Sequence, residues 1–221
     1  MSVDVVIPAH NEGATITNII HAISATPGIG QIIVVADSCN DDTGVKALYS
    51  GSTVLPVHWK NKGSAMASGL DVVRTNNVCF VDGDLVGLEP HHVEELINTG
   101  DRDCQVAGLF AWNSLTRWAP PITGQRCVPT WLAQAANLHG TGWQAEHRIN
   151  AMVGRYGLPW RHFLLEGVQH TSKIGKRNPR GWADTMMQVG IAGFSYGHDL
   201  INYTLNPGGR SMEYLPIKDH L

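Results

Sequence analysis

Three apolar runs, "VDVVIPA" at Val3 to Ala9, "QIIVVAD" at Gln31 to Asp37 and "NVCFVD" at Asn77 to Asp82, constrain this chain more than anything else in it. Each is nearly continuous in Val, Ile and Phe, too short for a buried helix and bounded by turn residues. That is the pattern of a strand covered on both faces. Between the runs the apolar residues change period. Ile16, Ile19, Ile20 and Ile23 recur at helical spacing, predicting a helix from about Glu12 to Thr26 that Pro27-Gly28 ends. "DDTGVKALYS" begins with Asp and Thr residues suited to an N-cap and reads as a second helix. "STVLPV" reads as a short third strand. "KGSAMASGLDVV" reads as a small-residue helix, Gly63 to Arg74, and another helix is expected at about Pro90 to Asn98. Strands alternating with helices predict an α/β fold: a mostly parallel, Rossmann-like sheet with helices on both faces. Ligands of such sheets sit beyond the carboxyl ends of the strands, near a switch point.

The polar residues collect at those ends: Pro8 to Glu12 after the first strand, Asp37 to Asp42 after the second, and Asp82-Gly83-Asp84 after the fourth. Asp and Gly are ordinary turn residues. Two carboxylates two residues apart at a strand's end also converge on one hard cation, and the clustering at one rim favours that reading.

The second half is less regular. "VPTWLAQAANL" and "WQAEHRINAMVGRYG" read as helical, and "HFLLEGVQH" as a strand or hairpin leading to His170. "WADTMMQVGIAGFSYGHDLINY" reads as a final helix weakened by Gly190 and Gly193. Residues 1–205 are expected to form one domain, with 1–100 as one half and 101–205 as the other. Residues 206–221 are expected to be an exposed tail. Charge divides along the same line. Residues 1–110 hold 13 acidic and 5 basic side chains (−8), and residues 111–221 hold 6 and 11 (+5), which gives the net −3. Six of the seven tryptophans lie in the second half. The basic stretch "KIGKRNPRGW", with Lys173, Lys176 and Arg177, suits an anionic partner.

No apolar run reaches eighteen residues, so no membrane-spanning helix is expected. The N-terminus "MSVDVVIPAH" lacks the basic start of a signal peptide. None of Cys39, Cys79, Cys104 and Cys127 forms a C-x-x-C pair, and reduced thiols in a cytoplasmic protein are the simplest expectation.

Four segments in order, "VVIPAHNEGATI", "VVADSCNDDTG", "NKGSAMASGL" and "FVDGDL", resemble the nucleotide-sugar half of family 2-type glycosyltransferases with the GT-A fold. The likeness is strong over about residues 3–85. It continues more weakly through "ITGQRCV", "GWQAEHRIN" and "GVQHTSK" to about residue 175.

The resemblance implies a nucleotide sugar, a UDP sugar foremost, held by Pro8, Ala9, His10, Asn11 and Glu12, with Glu12 on the ribose and Asp37 at the base or ribose. Sugar hydroxyls donate hydrogen bonds, which suits carboxylates. It implies Lys62 and Gly63 near a phosphate, at a helix N-terminus. It implies Asp82, Gly83 and Asp84 as the family's DxD element, with Mg²⁺ or Mn²⁺ on Asp82, Asp84 and His170 stabilising the departing diphosphate. Gly124, Gln125 and Arg126 match its acceptor-side motif, with Arg126 expected to project from irregular backbone and clamp an anion. Glu146 matches a carboxylate that binds an acceptor hydroxyl or serves as base. Asp84, Glu146 and Arg126 are thus the expected catalytic groups.

Bland readings stand beside these. Glu12 suits a helix N-terminus on its charge alone. Asp37 suits a capping turn with Asp41 and Thr43, Lys62 a solvated surface, and Arg126 with Glu146 one interior salt bridge.

The Gly124, Arg126, Glu146 and His170 set resembles both glucosyl-3-phosphoglycerate synthases and polyprenyl-phosphate glycosyltransferases. The implied acceptor is a phosphorylated small molecule or a lipid phosphate. A tryptophan-rich basic half also admits nucleic acid, though the net charge gives that no support. The Gln-x-x-Arg-Trp element of many inverting members is absent, so inversion and retention stay open, as does a homodimer. A sugar nucleotidyltransferase shares the sheet but expects a glycine-rich, Arg-containing loop where this chain reads "PAHNEG". A non-catalytic binding module would have no need of both aspartates.

Overall fold

The computed structural model describes residues 2–99, 103–110 and 123–171. The expected final helix, the tail and the basic stretch with Lys173, Lys176 and Arg177 lie outside the described residues.

Seven strands form one mixed sheet. They are β1 (Val3–Ala9), β2 (Ile29–Asp37), β3 (Thr53–Val57), β4 (Asn77–Phe80), β6 (Gln105–Leu109), β7 (Arg126–Pro129) and β8 (Trp160–Leu164). Their order is β3-β2-β1-β4-β7-β6-β8. The β1–β2, β2–β3, β1–β4 and β6–β8 pairs are parallel. Only β7 runs against its neighbours β4 and β6. A second, two-stranded ladder joins β5 (Leu85–Val86) to β9 (Gln169–His170). The expected mostly parallel α/β sheet is what the chain forms, and its second half adds β6, β7 and β8 to that sheet.

Among the described residues six α-helices connect the strands: α1 (Ile16–Ser24), α2 (Thr43–Tyr49), α3 (Lys62–Leu70), α4 (Pro90–Ile97), α5 (Thr130–Ala135) and α6 (Ala145–Tyr156). Successive side chains of a strand point to opposite faces, and the core divides accordingly. Val5, Ile7, Val34 and Cys79 meet Ile16, Ile19, Ile20 and Ile23 of α1 and Val93 and Leu96 of α4. Val6, Ile33, Val35 and Phe80 meet Met66 and Leu70 of α3, Leu132 of α5 and Ile149 and Val153 of α6. Burying a side chain of this size stabilises by roughly 1.5–3 kcal/mol, so both faces contribute.

Two helix boundaries differ from the sequence pattern, for tertiary reasons. Helix α1 starts at Ile16 because the amides of Glu12 and Gly13 bond Thr43 Oγ1 and Asp41 Oδ2. Helix α3 stops at Leu70, and the Arg74 amide turns to Asp4 Oδ2. "VPTWLAQAANL" begins as strand β7 before it becomes helix α5. "HFLLEGVQH" is divided between two sheets, since β8 pairs with β6 while β9 pairs with β5. The four cysteines are free, three buried and Cys39 half-buried.

The sheet order reverses direction between β1 and β4, since β2 and β3 lie to one side and β4 to the other. The crevice beyond their carboxyl ends is where such a sheet receives a ligand.

Candidate active site

The crevice has two walls. The first is built on the ends of β1, β2 and β3. His10 Nδ1 lies 2.7 Å from the carbonyl of Asp37, tying β1 to β2. The Ser38 amide donates to the carbonyl of Val57, tying β2 to β3. Asn11 Oδ1 accepts from the Asn40 amide at 2.9 Å. Among the described residues, four non-glycine residues have positive φ: Asn11, Ser38, Lys60 and Asn137. Three of them, Asn11, Ser38 and Lys60, lie within three residues of the ends of β1, β2 and β3. A left-handed backbone is costly for such residues and tends to gather at binding sites.

Asp37 serves this wall in an unexpected way. Its carboxylate accepts from the amides of Lys60 (2.8 Å) and Asn61 (2.9 Å), and from the Ser38 hydroxyl. The expected alternative, a capping turn with Asp41 and Thr43, is a separate feature: Asp41 holds the Thr43 amide, the Thr43 hydroxyl and the Gly13 amide. Glu12 follows at the β1 end, where its amide donates to Thr43 Oγ1.

The second wall begins where β4 ends. Thr15 donates its hydroxyl to the carbonyl of Gly83 at 2.6 Å, which pins the Asp82-Gly83-Asp84 turn to the start of α1. A Cβ on Gly83 would press on Pro8, Ala9 and Glu12, so the turn lies directly against the β1 loop. Asp84 meets His170, whose Nδ1 is 2.8 Å from Asp84 Oδ1. The short β5–β9 ladder brings His170 there, helped by the Thr171 amide on the carbonyl of Asp84. One ligand atom each from Asp82, Asp84 and His170 lie within 4.8 Å of one another, and this is the only such cluster among the described residues. Two hard carboxylate oxygens and an imidazole fit Mg²⁺ or Mn²⁺, with positions left for water and phosphate.

Lys62, expected at a phosphate, is a largely shielded ion-pair partner in this structure. Its ammonium lies 2.8 Å from Asp82 Oδ1 and 2.6 Å from Glu146 Oε1, and 5.2 Å from the centroid of the Trp143 ring. Burial alone would lower the Lys62 pKa, but the charges of Asp82 and Glu146 outweigh it and hold the group protonated. For Asp82, burial pushes upward and the Lys62 charge outweighs it, so the carboxyl titrates below its ordinary value. His170 is likewise pulled down by burial but raised overall by its bond to Asp84 and by both aspartate charges.

Arg126 corrects an expectation. It does not project from irregular backbone: it opens strand β7 with 0% exposure. Its guanidinium donates to the carbonyls of Thr123 and Glu146 and to the side chains of Gln105 and Asn150. The salt bridge expected between Arg126 and Glu146 is replaced by one between Glu146 and Lys62. Gly124 and Gln125 face Asp82. A Cβ on Gly124 would collide with the Asp82 carboxylate, and Gln125 Nε2 donates to Asp82 Oδ2 at 2.8 Å. Gly63 admits the 138–142 turn against the start of α3, where its Cβ would clash with Thr141 and Leu138. Asn61 Oδ1 accepts from the Ser64 and Gly142 amides at that point.

Sequence reasoning missed three contributors: Thr15, Thr123 and Trp143. Trp143 is half-exposed beside Lys62. The segment "GWQAEHRIN" held the clue, with an aromatic three residues before Glu146, but a lone tryptophan in a helical pattern reads as core.

The model of the family described as "Glycosyl transferase family 2" matches residues 4–128, more than half of the chain. Among curated proteins, 4,4'-diaponeurosporenoate glycosyltransferase of Staphylococcus aureus (strain bovine RF122 / ET3-1) is 34% identical over 103 residues. That alignment covers 44% of this chain and 28% of the relative. The enzyme of that name from strain MRSA252 is 34% identical over 100 residues, 42% of this chain and 27% of its own length. The chain thus spans under a third of the length of these relatives.

Among solved structures, glucosyl-3-phosphoglycerate synthase from Mycobacterium tuberculosis in complex with Mn²⁺ and UDP-glucose superposes with a TM-score of 0.70 at 23% identity. It covers 89% of this chain and 79% of that one. The same synthase with Mn²⁺, UDP and phosphoglyceric acid gives 0.66 at 24% identity, covering 77% and 71%. At that identity the likeness speaks to the fold. No helix among the described residues is long and apolar enough to cross a membrane.

Proposed function

This chain belongs to glycosyl transferase family 2, and from that premise we propose that it transfers a sugar from a UDP-linked donor to an anionic acceptor, using Mg²⁺ or Mn²⁺ held by Asp82, Asp84 and His170. The observation that carries the reading is the convergence of those three side chains within 4.8 Å at the sheet's switch point. Two further features support it. Structural neighbours were solved with UDP-glucose and Mn²⁺. The second half of the chain has a basic excess, which favours an anionic acceptor.

In this reading the β1 loop, Pro8 to Glu12, receives the nucleoside, with the Glu12 carboxylate toward the ribose. Asp37 shapes the nucleotide wall by holding the Lys60 and Asn61 amides. A divalent cation supplies Lewis-acid stabilisation of the charge that develops on the leaving diphosphate. Asp82, Asp84 and His170 would hold it. Lys62 keeps its positive charge over the working pH range and offsets one of the two negative charges of Asp82 and Glu146, which lightens the negative charge an anionic substrate meets. Glu146 lies across Lys62 from Asp82 and offers its carboxylate to an acceptor hydroxyl. Arg126 keeps a structural part, holding the Thr123 and Glu146 carbonyls in place.

The test is a UDP-release assay across several nucleotide sugars and phosphorylated acceptors, with and without Mn²⁺. Release that requires the cation and disappears in Asp84→Ala, with the circular-dichroism spectrum unchanged, is the expected result. Full activity of that variant in a chelator would overturn the reading.

A further inference from the structure

The contacts around Asp82 close into a ring. Gln125 Nε2 donates to Asp82 Oδ2 at 2.8 Å. Gln125 Oε1 lies 2.7 Å from the Thr123 hydroxyl, whose single proton it shares with the Gly108 carbonyl at 2.8 Å. The Thr123 carbonyl accepts from Arg126 Nε at 3.0 Å. Arg126 Nη1 donates to the Glu146 carbonyl at 3.2 Å. Glu146 Oε1 accepts from Lys62 Nζ at 2.6 Å, and Lys62 returns to Asp82 Oδ1 at 2.8 Å. Gln125 and Arg126 have 0% exposure, so neither reaches a substrate.

From this ring we infer that Gln125 is a positioning residue: it fixes the orientation in which Asp82 meets the cation and the donor diphosphate. The inference rests on the functional reading above and deepens it. Three features support it. First, the Gln125 amide has one workable orientation, because flipping it would set its carbonyl oxygen against the Asp82 carboxylate. Second, Asp82 is held at both oxygens, by Lys62 on one and Gln125 on the other. This fixes the carboxylate plane and leaves a lone pair on each oxygen for a ligand. Third, the missing Cβ of Gly124 gives the carboxylate its room. A neutral amide suits this place, since a carboxylate there would repel Asp82. The ring also joins Asp82 to Glu146 through their shared partner Lys62, so the donor side and the acceptor side share one set of supports.

The experiment is calorimetric titration of UDP with and without Mn²⁺ into wild type, Gln125→Met and Thr123→Val. Gln125→Met keeps the side-chain length and removes the donor. Its Mn²⁺-dependent gain in UDP affinity should fall by about tenfold, the usual scale for a group that orients a metal ligand. UDP affinity without Mn²⁺ should stay within about twofold. Thr123→Val leaves Gln125 in place and its amide facing Asp82, but removes the hydroxyl beside Gln125 Oε1, and should lose about threefold of the gain. An unchanged gain in both variants overturns the inference. So does an equal loss of affinity with and without Mn²⁺, which is the signature of a merely structural role. If wild type itself shows no Mn²⁺-dependent gain, the cation site falls and the inference falls with it. That outcome is separable from the others because it appears before any substitution is made.

Discussion

Asp37 and Asp82 make an instructive pair. Each is a shielded carboxylate at the carboxyl end of a parallel strand, and each has donors on both oxygens. Asp37 holds two backbone amides, of Lys60 and Asn61. Asp82 holds two side chains, Lys62 and Gln125. A carboxylate bonded to successive amides is part of the loop it supports, and the loop's shape depends on it. A carboxylate bonded to side-chain donors is oriented by them while the backbone stands independently. The nucleotide wall therefore couples function to folding, and the cation wall keeps them more nearly separate.

The largest test of that contrast is on the cation wall. Asp84→Ala should lower transfer by about 1,000-fold, or about 4 kcal/mol, if it removes a ligand of the proposed charge-stabilising cation. Urea unfolding should move little, because Asp84 lies at the sheet's rim. A matching collapse of stability would show that the cation wall is as entangled with folding as the nucleotide wall.

Next in size is Arg126→Met. Its guanidinium donates to four buried acceptors, and removing it strips donors from that cluster, although Asn150 Oδ1 keeps its bond from Gln105 Nε2. A stability loss of about 3 kcal/mol is expected by urea denaturation. Unchanged stability with a raised acceptor KM would return Arg126 to the acceptor role that its motif suggested.

Arg126 also shows where the sequence stops being legible. The alternation of β1 to β4 with α1 to α4 was plain, because each element has its own period and turn residues. Asp82-Gly83-Asp84 was plain because it follows a strand. His170 was readable only by resemblance, since its approach to Asp84 depends on the two-residue β5–β9 ladder. Of the partners of Arg126 the sequence offers only Glu146, and as a salt bridge rather than through its carbonyl. Thr123, Gln105, Glu146 and Asn150 span 45 residues of chain and meet only because β7 is inserted antiparallel between β4 and β6. Local pattern carries no record of such an insertion. The four residues of β7, "RCVP", are too few to display a period, and "VPTWLAQAANL" was read as helix from its start. A charged residue in a loop-like segment naturally reads as exposed.

Asp37→Ala should have a smaller effect, on two quantities together. Losing both amide partners should lower stability by about 2 kcal/mol and weaken UDP binding by a similar amount. Both follow from loosening the Lys60–Asn61 segment. Weaker UDP binding at unchanged stability would instead mean that the carboxylate touches the nucleotide and that the comparison with Asp82 is overdrawn.

The finest test is Thr43→Val, a nearly isosteric change at a buried residue. The Thr43 hydroxyl accepts from the Glu12 amide at 2.8 Å and donates to Asp41 Oδ1, so it ties the β1 loop to the start of α2. It touches nothing on the cation wall. Removing it costs one ordinary buried hydrogen bond on each side, and the Asp41 carboxylate still keeps the Thr43 and Gly13 amides. Stability should therefore fall by only about 1 kcal/mol. The freed Glu12 loop should weaken UDP binding by about fivefold, the same 1 kcal/mol expressed as affinity. The ratio of UDP affinities with and without Mn²⁺ should not move, because Asp82, Asp84 and His170 keep every contact they have. Calorimetry at two Mn²⁺ concentrations measures both quantities in one series. A change in the ratio would show that the two walls communicate through the Gly83 turn, which lies against Glu12 and Ala9.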